Sequence, residues 1–182
     1  MHDPTLSSPA LSRITRLELP ICRYFNSIQN RQVLRFFSAI SWLGNGVYYA
    51  VILLALWFTA GSGAPQAIFH FLTTGAVCLA LYKALKNKAA RPRPFDARPG
   101  FHLTVAPLDK YSFPSGHTLH AVGFTLVLSV YAPVLFLISV PFAILVALSR
   151  LILGLHYPTD VAAGAVLGST IAWAVLQVSP PF

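Results

Sequence analysis

The sequence predicts an all-α protein, an integral-membrane bundle of five transmembrane helices preceded by an N-terminal amphipathic helix. Hydrophobic residues make up 55% of the 182 residues and charged residues only 10%, whereas a typical soluble domain carries about 25% charged residues. Long apolar runs alternate with short polar stretches along most of the chain. A sixth transmembrane helix is expected only if the amphipathic segment also crosses the bilayer.

The N-terminal region divides into two parts. Residues 1–20 contain three prolines and no long apolar run, so we expect a poorly ordered basic arm and not a signal peptide. From Ile21 to Leu43, arginines alternate with large apolar side chains, which is typical of an amphipathic helix. An arginine at the bilayer centre costs about 2.5 kcal/mol or more, so this helix is expected to lie along the interface or on the flank of the bundle. Residues 21–182 then form a single membrane-embedded domain.

Four apolar segments are long enough, or nearly long enough, to cross a bilayer, which takes about 17 to 25 helical residues. They are Ala64–Lys83, Thr118–Ala132, Val134–Leu153 and Pro158–Val178. A fifth, Val47–Ala60, is shorter than this range, so it must recruit Trp42–Gly46 or thin the bilayer. The glycines of Gly44-Asn45-Gly46 are expected to break the amphipathic helix before it.

The stretch SRLILGLHYPTD, which ends at Asp160, places polar residues around a helix break. Gly154 is a natural helix stop and Pro158 is a natural first-turn residue, so His156 is expected in a short turn between two helices. Arg150 then falls in the last turn of the first helix and Asp160 in the first turn of the second. The three side chains can therefore converge at one end of a helical pair.

A second polar stretch follows the Ala64–Lys83 segment and is rich in fixed positive charge and proline. Basic residues that follow a transmembrane helix often contact only lipid headgroups, and we prefer that interpretation for Lys83, Lys88 and Arg98. Lys86 and Arg93 belong to a larger pattern.

The third polar stretch begins the next helix. Ser115 is predicted to cap that helix, and the backbone N–H groups of Gly116 and His117 would then be free to bind an anion such as phosphate. Alone, this stretch would be interpreted as an ordinary capped helix. However, the segment 118–132 leaves this face of the membrane and the segment 134–153 returns to it, so the three polar stretches share one face.

Together the three stretches resemble the tripartite signature of the type 2 phosphatidic acid phosphatase (PAP2) superfamily, which includes class A acid phosphatases, glucose-6-phosphatase and vanadium haloperoxidases. The matching residues are Lys86-x6-Arg93-Pro94, Pro114-Ser115-Gly116-His117 and Ser149-Arg150-x5-His156-x3-Asp160. All three motifs are intact and in order, whereas the first 45 residues depart from the usual six-helix plan. The resemblance implies a small bacterial membrane lipid phosphatase.

The residue types fit phosphoryl transfer. Positioned cations hold a phosphate and offset its charge in the transition state. We expect Lys86, Arg93 and Arg150 to do this, together with Ser115 and the amides near Gly116. No metal and no other cofactor are expected, because the five acidic residues are too few and too scattered for a two-metal phosphatase.

Two histidines are candidates for the chemistry. A neutral imidazole held by a carboxylate can attack phosphorus, and His156 with Asp160 fits that pair. The resemblance implies the same assignment, through a covalent phosphohistidine that water later cleaves, with His117 protonating the leaving oxygen. His120 shares a helix face with His117 and either lines the substrate site or is simply a polar residue inside the bundle.

The substrate is expected to be a lipid phosphate whose chains stay in the bilayer. Phosphatidic acid, phosphatidylglycerol phosphate, undecaprenyl diphosphate and a lipid A phosphate all fit. The loop Arg91–Phe113 is expected to cover the site with four side chains. They are Phe95, Phe101, His102 and Tyr111.

Three questions stay open at this stage. The same phosphohistidine could transfer its phosphoryl group to a lipid hydroxyl, and a non-catalytic lipid-binding protein is a more distant alternative. The positive-inside rule places the active site on the cytoplasmic face if Ile21–Leu43 lies flat, whereas the resemblance favours the periplasmic face of a bacterial inner membrane. The sequence does not predict the oligomeric state.

Nucleic acid is not expected as a partner despite the net charge of +8, because the basic residues lie beside apolar segments.

Overall fold

The computed structural model describes residues 9–97 and 99–178, and every regular element in those ranges is helical. The all-α prediction is therefore confirmed for the described part of the chain. The helices are α1 (Pro9–Asn26), α2 (Arg31–Trp42), α3 (Tyr48–Thr59), α4 (Ala64–Ala89), α5 (Pro94–Ala97), α6 (Gly116–Tyr131), α7 (Pro133–Ile152) and α8 (Pro158–Val178). A π-helical segment, Leu43–Val47, joins α2 to α3, and a 3₁₀ turn, Gly61–Gly63, joins α3 to α4.

Four helical stretches are long and apolar enough to cross a membrane. They are Arg31–Thr59, Gly61–Ala97, Pro133–Ile152 and Pro158–Val178. These agree with the prediction of several apolar membrane helices. The prediction that Gly44-Asn45-Gly46 breaks the helix is confirmed, because Gly46 leaves helical geometry, with a φ of 137°, and the chain kinks there between α2 and α3.

The segment Ile21–Leu43 is not the single helix that the sequence predicted. α1 ends at Asn26 and α2 begins at Arg31, where the Asn30 side chain accepts hydrogen bonds from the backbone N–H groups of Gln32 and Val33. Asparagine is strongly preferred as an N-cap residue, so Asn30 indicates this helix start in the sequence itself. α2 packs against α7, and the stretch Arg31–Thr59 that contains it is long enough to cross a membrane.

The structure also corrects the prediction that residues 1–20 are poorly ordered, because residues 9–20 belong to α1; residues 1–8 lie outside the described residues. The buried side of α1 is a polar stripe. It comprises Thr15, Glu18, Cys22 and Asn26. An exposed apolar stripe comprises Ile14, Leu17, Ile21 and Tyr24, and three exposed arginines lie beside it, Arg13, Arg16 and Arg23. The three- and four-residue intervals keep each set on one helix face. Because polar and apolar residues alternate along α1, it contains no long apolar run that would indicate a helix.

α6 is the central helix, and it packs against α4, α7 and α8. Glycines permit its close approach to α8: a Cβ atom added to Gly168 would lie 2.3 Å from the Leu119 carbonyl oxygen, and one added to Gly164 would lie 2.6 Å from that of Ser115. The Ser115 N–H group donates to the Asp160 carbonyl at 3.0 Å. The N-termini of α6 and α8 are thereby held together.

Aromatic stacking fixes the remaining helices around α6. Phe71 of α4 stacks on Phe124 of α6, with ring centroids 4.1 Å apart, and Tyr48 of α3 stacks on Phe142 of α7 at 3.7 Å. As a result, the C-termini of α4 and α7 and the N-termini of α6 and α8 gather at one end of the bundle. The predicted motif residues are carried by those four helix ends.

Candidate active site

A cavity of about 240 Å³ opens at this end of the bundle. Seven of the ten residues predicted for the site line it. They are Lys86, Arg93, Gly116, His117, His120, Arg150 and His156. The other three, Ser115, Asp160 and Phe95, are not among the lining residues. The three motifs therefore converge on one cavity, as the sequence predicted.

The turn that carries His156 is held from both sides. α7 ends in a Schellman motif, in which Gly154 has a φ of 71° and the N–H group of Leu155 donates to the Arg150 carbonyl at 3.0 Å. At the start of α8, the Asp160 side chain accepts a hydrogen bond from the backbone N–H of Tyr157 at 2.9 Å. The imidazole is thus presented from a short, fixed turn.

His156 and Asp160 are adjacent but not hydrogen-bonded. The distance from His156 Nδ1 to Asp160 Oδ2 is 3.6 Å, which exceeds hydrogen-bond length. On its other side, His156 Nε2 lies 3.2 Å from Arg93 Nη1. Burial lowers the pKa of His156 to about 4; Asp160 opposes this shift, and the positive charges of Arg93 and Lys86 add to it. The imidazole is therefore neutral at pH 7, as a nucleophile must be.

Lys86 and Arg93 share one internal counterion, Asp109. The Asp109 Oδ1 atom accepts hydrogen bonds from Lys86 Nζ at 2.6 Å and from Arg93 Nη2 at 2.7 Å. A carboxylate thus lies between the two cations and offsets part of their charge. This role of Asp109 was not predicted, because the sequence shows only that an acidic residue lies in the loop.

Arg150 has no acidic partner of this kind. Its Nε and Nη2 atoms donate to Ser149 Oγ at 3.0 and 2.9 Å. In the part of the chain that the structure describes, no carboxylate lies within 4 Å of it. The guanidinium is almost fully buried and lines the cavity. Its charge is consequently available to an anion.

His117 contacts an amide that sequence reasoning missed. The Asn45 side-chain oxygen lies 2.5 Å from His117 Nε2, and an amide oxygen can only accept, so we assign the proton to Nε2. Asn45 lies in the π-helical segment between α2 and α3. Two glycines flank Asn45, and glycines of this kind mark an irregular backbone, which is the signal that could have drawn attention to this side chain.

The prediction for Ser115 is only partly right. It precedes α6 at the N-cap position, but its side chain makes no capping bond to the backbone. Its hydroxyl is instead buried and pairs with Thr118 Oγ1 at 3.0 Å. Ser115 therefore helps to hold the start of α6, and its hydroxyl does not face the cavity.

The covering loop is also corrected in detail. Residues 105–109 line the cavity, so the loop does contribute to the site. None of the four aromatic and histidine side chains named for this role is among the lining residues. At the start of the loop, Pro94 begins the short helix α5.

Comparison with known proteins agrees with this geometry. The family model described as the PAP2 superfamily matches residues 67–182, a range that contains all three motifs. The chain belongs to the PAP2 superfamily.

Individual PAP2 proteins resemble this chain over different lengths. An undecaprenyl-diphosphatase of Sulfolobus acidocaldarius is 35% identical over 104 residues, which cover 56% of this chain and 50% of that protein. The undecaprenyl-diphosphatase BcrC of Bacillus subtilis is 29% identical over 133 residues, covering 73% of this chain and 68% of that protein. The chain thus spans about half to two thirds of these relatives. Aquifex aeolicus LpxE has a similar structure, with a TM-score of 0.78, 26% identity and coverage of 88% of this chain and 95% of that one.

A PAP2 signature does not include two further charged residues that the structure places beside Asp160. Arg91 is fully buried and donates to Asp160 Oδ1 at 2.6 Å and to Glu18 Oε2 at 2.7 Å. Glu18 lies on the polar stripe of α1, in a region predicted to be poorly ordered. Long-range pairs of this kind leave no local pattern in a sequence.

Proposed function

We propose that this chain is a membrane lipid phosphatase that hydrolyses a phosphomonoester or diphosphate of a lipid. The observation that carries the proposal is the convergence of three cations and two histidines on one cavity. They are Lys86, Arg93, Arg150, His117 and His156. Fixed cations that surround a buried histidine are what phosphoryl transfer to nitrogen requires.

A second cavity supports a lipid as the substrate. It has a volume of about 360 Å³, runs along α3 and α4, and is lined almost entirely by apolar side chains. It shares Tyr49, Leu79 and His120 with the polar cavity. A phosphate could therefore occupy the polar end while its acyl or prenyl chain lies along the apolar end. The names of two relatives make undecaprenyl diphosphate the first substrate to test.

The proposed reaction has two steps. His156 Nε2 attacks phosphorus, the bond from phosphorus to the lipid oxygen breaks, and His117 gives a proton to that oxygen. Water then attacks the phosphohistidine as His117 takes its proton, which releases phosphate and restores His156. Throughout, Lys86, Arg93 and Arg150 offset the charge on the phosphoryl oxygens.

We propose that the reaction needs no metal ion. Within residues 9–97 and 99–178, no three His, Cys, Asp or Glu side chains are grouped so that they could hold one. The three cations supply the positive charge that a metal would otherwise provide.

We further propose five transmembrane helices. Four of them are the long apolar stretches, and the fifth is α6, which has 16 residues. The four stretches are Arg31–Thr59, Gly61–Ala97, Pro133–Ile152 and Pro158–Val178. α6 is short for a bilayer, but neighbouring helices surround it, so it does not have to match the lipid thickness. α1 would lie at the active-site end with its exposed apolar stripe toward lipid, in place of the amphipathic helix predicted for residues 21–43.

The test is a panel of lipid phosphates incubated with purified protein, with EDTA present and with or without vanadate. We expect release of inorganic phosphate that EDTA leaves unchanged and vanadate blocks. His156→Ala should lower the rate by about a thousandfold or more, whereas His102→Ala, an exposed histidine outside the cavity, should leave it unchanged. Undiminished turnover by His156→Ala would overturn the mechanism, and transfer of labelled phosphate to a lipid hydroxyl would identify a phosphotransferase.

A further inference from the structure

Arg91 is a buried guanidinium held between two buried carboxylates. Its side chain is 0% exposed, that of Asp160 is 0% exposed and that of Glu18 is 8% exposed. The Tyr157 ring covers one face of the guanidinium, with its centroid 3.9 Å from Arg91 Cζ. Such groups are rarely buried unless they are paired, because taking charges out of water is costly. This triad is therefore a specific structure.

Glu18 uses both of its oxygens within the triad. Oε1 accepts from the backbone N–H of Thr159 at 2.6 Å, and Oε2 accepts from Thr159 Oγ1 at 2.9 Å and from Arg91. Arg91 Nη2 also donates to Thr15 Oγ1 at 2.9 Å. Two residues of α1 thus hold the guanidinium, and Glu18 also holds the first turn of α8. Arg91 is therefore held by Asp160 on one side and by α1 on the other.

The triad controls the carboxylate beside the candidate nucleophile. Arg91 takes Oδ1 of Asp160, which leaves Oδ2 to face the Tyr157 N–H and His156 Nδ1. Among the described residues, Arg91 is the only lysine or arginine within 4 Å of Asp160. Without that charge, the buried carboxylate would lose the cation that holds Oδ1 and could turn away from the imidazole. It would then no longer orient and polarise the imidazole.

On the basis of the phosphatase function proposed above, we propose that Arg91 and Glu18 are positioning residues for the reaction, acting on His156 through Asp160. α1 is then part of the catalytic unit. Neither residue lines the cavity, so neither touches the substrate phosphate. Their loss should lower kcat and leave KM within about twofold, whereas loss of a phosphate-binding cation raises KM.

The single variants are Arg91→Met and Glu18→Gln. We expect Arg91→Met to lower kcat by about 10- to 100-fold, by analogy with the residues that orient metal ligands from behind. Glu18→Gln keeps the side-chain shape and should have a smaller effect in the same direction. Arg16→Met is the matched control, since it removes an exposed arginine from α1, and it should leave kcat unchanged.

A double-mutant cycle separates positioning from a general role in folding. If Arg91 acts through Asp160, adding Arg91→Met to Asp160→Asn should change kcat by less than about twofold. An equal loss of kcat in both backgrounds would overturn the proposal. Each variant is first checked for an unchanged elution volume in detergent, and if Arg91→Met does not fold, Glu18→Gln takes its place in the cycle.

Vanadate binding gives a readout that needs no turnover. Vanadate accepts a bond from the nucleophilic imidazole, so Arg91→Met should weaken vanadate binding and the Asp160→Asn background should abolish that effect. The wild-type protein could hydrolyse lipid phosphate while the effects of Arg91→Met and Asp160→Asn simply add. That result would overturn the positioning role of Arg91 but not the proposed function. A wild-type protein that neither turns over nor binds vanadate would overturn both.

Discussion

At the scale of single residues, the site balances its charges internally. Asp109 neutralises part of the positive charge of Lys86 and Arg93, whereas Arg150 has no acidic contact in the part of the chain that is described. Arg91 and Glu18 pair behind the cavity. Under the proposed function, a phosphate that enters the cavity would compete with Asp109 for two of the three cations.

This competition predicts the effect of Asp109→Asn. Removing the carboxylate should strengthen inhibition by vanadate by about tenfold, because a like charge at contact distance is worth at least ~1 kcal/mol. Asp96→Asn, an exposed acid outside the cavity, is the control and should not change the inhibition constant. Weaker inhibition in Asp109→Asn would show that the carboxylate organises the cations more than it competes for them.

The buried position of His156 predicts the acid side of the pH profile. Burial and the neighbouring cations lower its pKa to about 4, so the imidazole stays neutral and nucleophilic as the pH falls through 6.5, the usual histidine value. The limb of kcat/KM that belongs to His156 of the free enzyme should therefore appear only near pH 4. The measurement is kcat/KM from pH 3.5 to 8, and a His156 limb between pH 6 and 7 would contradict it.

At the scale of elements, the helix ends of the site depend on glycine contacts between α6 and α8. Gly168 lies so close to the Leu119 carbonyl that no added methyl group fits without a shift of backbone.

Gly168→Ala should therefore lower the stability of the bundle by about 1 to 3 kcal/mol and reduce activity, because α6 carries His117. Thermal unfolding in detergent measures the first effect. Val166→Leu adds a methylene on the exposed side of the same helix and should leave both properties unchanged. An unaltered melting temperature for Gly168→Ala would mean that the helices can move apart freely.

At the scale of the whole molecule, the site lies at one end of the bundle and the α3–α4 turn at the other. The membrane face is testable with single cysteines in intact cells and a membrane-impermeant thiol reagent. For a periplasmic active site, Asp96→Cys should be labelled and Ser62→Cys should not; both positions are exposed. The native Cys22 and Cys78 are buried, so the parent protein supplies the background. The reverse pattern would place the site in the cytoplasm.

The sequence by itself determined the helical class, the apolar segments and seven of the residues around the cavity. It could do so because apolar run length, helix-stop residues and motif spacing are local properties, which short stretches of sequence contain. It failed for α1, whose polar side is buried against other polar groups, so the usual link between burial and hydrophobicity is reversed there.

Only the tertiary structure decided which side chains meet across long separations in the chain. Glu18 and Arg91 lie 73 residues apart, and Asn45 and His117 lie 72 apart. Asp109 reaches Lys86 only because the loop folds back over the end of α4. Such pairs form where helix packing brings distant positions together, and packing depends on the fit of whole helix surfaces, which no short stretch of sequence contains.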